Sequence, residues 1–315
     1  MKLVSNTFFE GERPLFGTND LRLENVKFYP GESAVKECNH VEAIGCEFMC
    51  KYPFWHNDGT FIENCRFTVY SRAAIWYSKN IRMVNSIVDA PKMFREVDGL
   101  SLEKVKLPNA GECCWNCRNI EIRDVEVKGG DYIFMNSKNI RVENFRLEGN
   151  YSFQDVHNAE VRNAHLDSKD AFWHTENVSV YDSVINGEYL GWYSKNLRLV
   201  NCTIYGTQPL CYVENLIMEN CVMMPDTDLC FEYSTLNVHI NSHIISIKNP
   251  GAGSITAQSI GEIIIDENCK NPGACVINLK DKRQKTEDGR QKTKDRETKD
   301  GETKDRRQRD QKTDD

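Results

Sequence analysis

Lys195-Asn196-Leu197-Arg198-Leu199-Val200-Asn201-Cys202-Thr203-Ile204 is one copy of a unit that recurs down most of a 315-residue chain. With Asn201 as the anchor, equivalent positions fall at Asn25, Gly45, Asn64, Asn85, Lys104, Asp124, Asn144, Asn163, Asp182 and Asn220. Successive anchors lie 19 to 21 residues apart. A fixed period of that size is the signature of a solenoid, in which each repeat buries its apolar face only against its neighbours.

The local pattern says what each repeat is made of. Four and two residues before the anchor the chain is apolar, as at Ile120 and Ile122, Ile140 and Val142, or Leu197 and Leu199. One and three residues after it the chain is again apolar or small, as at Val125 and Val127 or Cys202 and Ile204. Alternation with period two means strands with one buried face. The inward set jumps by three across the anchor, so the chain bends there, and Asn and Asp tolerate the left-handed conformation such a bend needs. A second punctuation stands five residues before the anchor, at Asn80, Gly99, Asn119, Asn139, Asn158, Asn177, Asn196 and Asn215. Two bends and a longer connection predict three short strands per coil. The fold class is therefore all-β, a single-stranded parallel β-helix of about 12 coils. Equivalent residues stack about 4.8 Å apart, so Asn columns in the bends should hydrogen-bond along the stack. Unequal strands and a variable period, without a hexapeptide rhythm, favour the right-handed form.

The period runs through residues 1–280 as one domain, with an opening coil over 1–24 and closing coils over 241–280 that cover the exposed strand edges. Residues 281–315 contain only Lys, Arg, Asp, Glu, Gln, Thr and Gly, and read as a disordered charged tail. The tail holds 13 Lys+Arg and 11 Asp+Glu, net +2; the body then carries 27 against 36, net −9. An acidic body argues against nucleic-acid binding. No apolar leader segment or run of membrane length stands out, so a membrane role is not expected. The 13 cysteines are scattered, and Cys46, Cys65, Cys202 and Cys221 share one inward column as small hydrophobes. Free thiols of this kind fit a reducing cytoplasm. Cys113, Cys114 and Cys117 include one C-x-x-C but no second pair at suitable spacing, so neither a metal nor a cofactor is expected.

The third side of the coil carries the candidate chemistry. Nine before the anchor lie Trp55, Trp76, Arg95, Trp115, Met135, Gln154, Trp173 and Trp192, a column that contains all 5 tryptophans. Eight before lie His56, Tyr77, Glu96, Asn116, Asn136, Asp155, His174, Tyr193, Tyr212 and Glu232. Ten before lie Phe54, Phe134, Phe153 and Phe172, among others, and twelve before lie Tyr52, Tyr132, Tyr151 and Tyr189. Read as a strand, this side would bury the tryptophan column and expose the eight, ten and twelve columns. The opposite phase would bury Glu96, Asp155 and Glu232 without partners, at high cost. Arg95 and Gln154 on the inward column are the weak point of this phase.

Gly31-Glu32-Ser33-Ala34-Val35-Lys36-Glu37, Lys51-Tyr52-Pro53-Phe54-Trp55-His56, Lys169-Asp170-Ala171-Phe172-Trp173-His174, Gly187-Glu188-Tyr189-Leu190-Gly191-Trp192-Tyr193 and Gly206-Thr207-Gln208-Pro209-Leu210-Cys211-Tyr212 resemble a bacterial β-helix family catalogued only as a domain of unknown function. The resemblance covers about residues 1–270 and implies a right-handed, pectin-lyase-like helix. It brings no assigned activity and no catalytic residues. In pectin-lyase-like enzymes, to which the fold is similar, chemistry usually sits on the strand before an Asn-lined bend, and the strip lies on the corresponding strand.

Two functions compete. Aromatics interleaved with carboxylates and amides suit carbohydrate binding or processing. Asp155, His174 and Tyr193 then form the candidate catalytic group, since a carboxylate one coil from an imidazole makes a usable base. His56, Tyr77, Glu96, Asn116, Asn136, Phe153, Phe172, Tyr212 and Glu232 are the candidate ligand contacts. Glu96 and Asp155 stand three coils apart, about 14 Å, too far for paired-carboxylate hydrolysis. The other reading is a non-enzymatic scaffold that binds a protein partner or a second copy of itself. The residues alone leave both open, and with them whether the protein is an enzyme.

Overall fold

The computed structural model describes residues 1–280. Residues 1–278 form one compact unit, and residues 279–315 form a second, of which only Leu279 and Lys280 are described. The expected disordered tail over 281–315 lies outside the described residues.

Among the described residues there is no helix, and the chain winds as a right-handed parallel β-helix of about 15 turns. The expected count was lower because it undercounted the ends. Near the C-terminal end the register shortens: Thr235 pairs with Ala252, 17 residues on (252 − 235), and His243 with Ser259, 16 residues on (259 − 243). Short coils of this kind fall outside a search for a period near 20.

Two sides of each coil follow the alternation read from the sequence. Ala159, Val161, Ala164 and Leu166 are buried, and so are Ile140, Val142, Phe145 and Leu147 one coil earlier. The residues between them face out. In the middle coils the two strands merge into single strands of 11 residues, Arg118–Lys128, Lys138–Glu148 and His157–Asp167, bent at the anchor. The bend is a left-handed residue in each case, with φ of 54° at Asp124, 54° at Asn144 and 49° at Asn163. The Asn ladders hydrogen-bond along the stack as the pattern requires. Asn163 donates to Asn144 at 2.6 Å, and Asn177 to Asn158 at 3.2 Å. The left-handed conformation turns these side chains to the outside of the corner, where they are exposed.

The third side departs from expectation. It is a run of turns, with strand pairing among the described residues limited to Ile75–Trp76 with Phe94–Arg95 and to isolated bridges such as Arg95 to Trp115. From Glu112 to Tyr212 the positions twelve, ten and eight before the anchor are left-handed in coil after coil: φ is 59°, 65° and 52° at Tyr132, Phe134 and Asn136, and 56°, 60° and 55° at Tyr151, Phe153 and Asp155. At these left-handed positions the N–H groups point alternately forward and back along the stack. Phe153 donates back to Ile133 O at 3.0 Å, while Asp155 donates forward to Trp173 O at 3.0 Å. The middle coils thus place these backbone donors on neighbouring coils without a pleat. Holding bulky residues at positive φ costs roughly 1–2 kcal/mol each. Burial and stacking offset that cost, with Phe153 fully buried and its ring 4.8 Å from Phe172 and 4.9 Å from Phe134.

This geometry corrects the side-chain phase. The ten column points into the core, so Phe153 and Phe172, expected as ligand contacts, are fully buried at 0% exposure. The tryptophans, expected inside, are half-buried on the outer surface. Strand logic assigns one face to every second residue, and it fails where every second residue changes hand.

All 13 cysteines are free thiols, and Cys269 and Cys275 alone are not buried. Burial pushes the Cys50 and Cys117 thiols up to about 12. Cys113 and Cys114 lie Sγ to Sγ at 3.8 Å. Among the described residues no three His, Cys, Asp or Glu side chains cluster as a metal site would require.

Candidate functional site on the turn side

The turns present the eight and nine columns together on one outer surface. Trp55 and Trp76 stack at 5.3 Å with their planes 8° apart. Arg95 follows in the column, its guanidinium 4.4 Å from the Trp76 ring and 4.7 Å from the Trp115 ring. Lys36 extends the row at its other end, 5.5 Å over Trp55. Arg95 also donates to Glu112 at 3.1 Å, and Lys92 shares that carboxylate at 2.8 Å. The Arg95 Nε is buried without a hydrogen-bond partner, which a guanidinium tolerates between two π faces better than an ammonium does. The arginine that fitted poorly in an inward column is therefore a link in an outward one. An Arg flanked by Trp at one-coil spacing was the signal in the sequence.

A second row begins at Trp173. It stacks on Trp192 at 5.7 Å and lies 5.5 Å from Tyr193, which stacks on Tyr212 at 4.8 Å. Between the rows the nine column holds Met135 and Gln154, two half-buried side chains. Arg95 and Trp192 cover the far faces of Trp115 and Trp173, so the opposite ring faces turn toward this interval.

A carboxylate–imidazole pair lies beside the interval. His174 Nδ1 is 2.6 Å from Asp155 Oδ1, and Gln154 Nε2 donates to Asp155 Oδ2 at 3.2 Å. The His174 side chain is 69% exposed and that of Asp155 36%. Both residues are left-handed, φ 53° and 55°, and the fixed turn aims them along the stack toward each other. Tyr193 is exposed one coil further on.

The other expected contacts scatter along the same surface. His56 and Tyr77 stack at 5.2 Å at the far end, and Asn136 donates to Asn116 at 2.8 Å beside the interval. Glu96 is exposed, and Tyr212 is half-buried within the second row. Glu232 is bound by Lys248 at 2.9 Å, only 13% exposed, and takes no part in an open surface. The structure thus brings Asp155, His174, Tyr193, Asn116 and Asn136 near one interval and leaves His56, Tyr77 and Glu232 remote from it.

The family model described as a protein of unknown function, DUF3737, matches residues 2–278. The chain belongs to that family. No curated protein matches it. Among solved structures it is similar to QnrB1, a plasmid-mediated fluoroquinolone resistance protein, at 10% identity and a TM-score of 0.33, covering 63% of this chain and 93% of that one. It is similar to PfbA, a surface adhesin of Streptococcus pneumoniae, at 10% identity and a TM-score of 0.33, covering 84% and 80%. It is also similar to a mutant tailspike protein of E. coli bacteriophage HK620 in complex with a hexasaccharide, at 9% identity and a TM-score of 0.36, covering 88% and 71%. Likeness at this level carries no argument about what the chain does.

Proposed function

We propose that this DUF3737 protein binds a carbohydrate across the interval between Trp115 and Trp173, with Asp155 and His174 as its acid–base pair. The observation that carries this reading is the 2.6 Å contact between His174 and Asp155, both solvent-accessible, beside Gln154 in the stretch between Trp115 and Trp173. Apolar sugar faces stack on indole faces, and the amides of Asn116, Asn136 and Gln154 supply the hydrogen bonds that hydroxyls need. Where the ligand is processed, a single carboxylate holding an imidazole supports proton abstraction rather than two-carboxylate hydrolysis, which needs a second carboxyl within about 5–10 Å. Buried free thiols support a reducing compartment for the chain.

The test is a glycan array probed with the full-length chain, followed by titration of each hit against Trp173→Ala and His174→Ala. Binding that both substitutions weaken at least about tenfold supports the reading. An array without hits, or hits indifferent to both substitutions, overturns it.

A further inference from the structure

The first strand side, opposite in character to the turn side, is a flat face of charged ridges. Its outward columns stand three and one before the anchor. In coil order the first runs Glu42, Phe61, Arg82, Ser101, Glu121, Arg141, Glu160, Ser179, Arg198, Ile217, and the second Ile44, Glu63, Val84, Glu103, Arg123, Glu143, Arg162, Tyr181, Val200, Glu219. Grooves of about 750 and 490 Å³ run beside these ridges, both over the middle coils. We propose that this face binds a second copy of the chain, related by a twofold axis that runs parallel to the strands between the coils of Glu121 and Arg141.

Such an axis reverses coil order and keeps each column facing itself. It sets Glu121 against Arg141 of the other copy, Arg123 against Glu143, and Glu103 against Arg162, each pair occurring twice by symmetry. Further out, Ser101 meets Glu160, Arg82 meets Ser179, and Phe61 meets Arg198. From Glu42 to Ile217 no position in either column meets a like charge. Moving the axis half a coil, onto Arg141, would instead oppose Arg141 to Arg141, Glu143 to Glu143 and Glu121 to Glu160.

Two further observations favour a partner. Glu121 and Arg141 are in register on adjacent strands, yet among the described residues neither makes an ion pair or a side-chain hydrogen bond; both are exposed. Of the four charges flanking the axis, Arg123 and Glu143 already meet at 3.5 Å within the chain, whereas Glu121 and Arg141 are left open. Half-exposed apolar side chains also interrupt this charged face at both ends, Ile44 and Phe61 on one side of the axis and Tyr181, Val200 and Ile217 on the other. The twofold brings the two ends together, with Tyr181 opposite Val84 and Arg198 opposite the Phe61 ring, a cation–π pairing. The ten coils involved, at about 4.8 Å each, and a strand side of about 16 Å give roughly 800 Å² per copy, the size of a standard stable interface. The turn side stays open in this dimer, so its carbohydrate reading and this one stand or fall separately.

Sign alternation along a ladder also stabilises a sheet from within, and mixing separates the two causes. Analytical ultracentrifugation of the full chain should give twice the 36.3 kDa chain mass at low salt, with association weakening as salt screens the facing charges. Glu121→Arg and Arg141→Glu should each yield monomers, because each opposes like charges twice across the axis. An equimolar mixture of the two variants should restore the dimer, since both cross-axis pairs become opposite while each chain keeps its own like-charged ladder pair. Circular dichroism and melting temperature confirm that each variant is folded; if either is not, the pair Glu121→Gln and Arg141→Gln is used, and each should weaken association about tenfold. A monomeric wild type at low salt, variants that remain dimeric, or folded variants that stay monomeric on mixing would overturn the proposal.

Discussion

His174 Nδ1 sits 2.6 Å from Asp155 Oδ1, 19 residues earlier in the chain and one coil away. Two residues at equivalent positions of successive coils meet because a solenoid turns sequence period into spatial adjacency. If this pair acts on a ligand, His174→Ala and Asp155→Asn should each abolish turnover. The double variant should be no worse than either single one, as expected of groups that act as a unit. Both side chains are open to solvent, so stability should move by no more than about 0.5 kcal/mol. A matching loss of stability in denaturant titrations would mean the pair is structural.

Arg95 should be worth more than a surface arginine. Its guanidinium lies between Trp76 and Trp115, with its side chain 20% exposed. Arg95→Met keeps the aliphatic stem and removes the charge, and should cost about 1–2 kcal/mol. Arg95→Lys should recover only part of it, because an ammonium does not stack between two rings. Urea midpoints measure the cost; no change in Arg95→Met would mean the sandwich contributes nothing.

The corrected phase of the turn side predicts an order of damage. Phe153 is wholly enclosed, and Phe153→Ala should cost about 3–5 kcal/mol through the cavity it leaves. Trp173 is half-buried, and Trp173→Ala should cost less than half as much despite the larger deletion. Chemical denaturation of both variants under one condition checks this, and the reverse order would restore the strand-like phase.

Asp170 is 4% exposed, and burial holds its carboxyl above the ordinary carboxylate range. Its folded form therefore binds a proton more readily than its unfolded form. Stability associated with this group falls as pH rises through that raised value, and the cost persists at neutral pH. Asp170→Asn should accordingly raise the melting temperature at pH 7 and bring no gain below the carboxylate's unfolded range. A gain that is equal at both pH values would assign the effect to packing rather than charge.

On two of the three sides the sequence alone was enough. Apolar residues at −4, −2, +1 and +3 around Asn144 or Asn163 announce both strands and the bend between them, because a pleat gives every second residue the same face. The same columns place Asp155 beside His174 without any coordinates. The third side needed the tertiary structure. Tyr132, Phe134 and Asn136 are residue types that read as strand or bend indifferently, yet all three adopt the left-handed conformation. Apart from Gly191, no Gly marks those columns; there the N–H groups bond alternately to the coil before and the coil after. That alternation sends Phe153 inward, leaves Trp173 at the surface, and sets Arg95 between two indoles, since side-chain direction follows backbone hand and backbone hand follows the neighbouring coils.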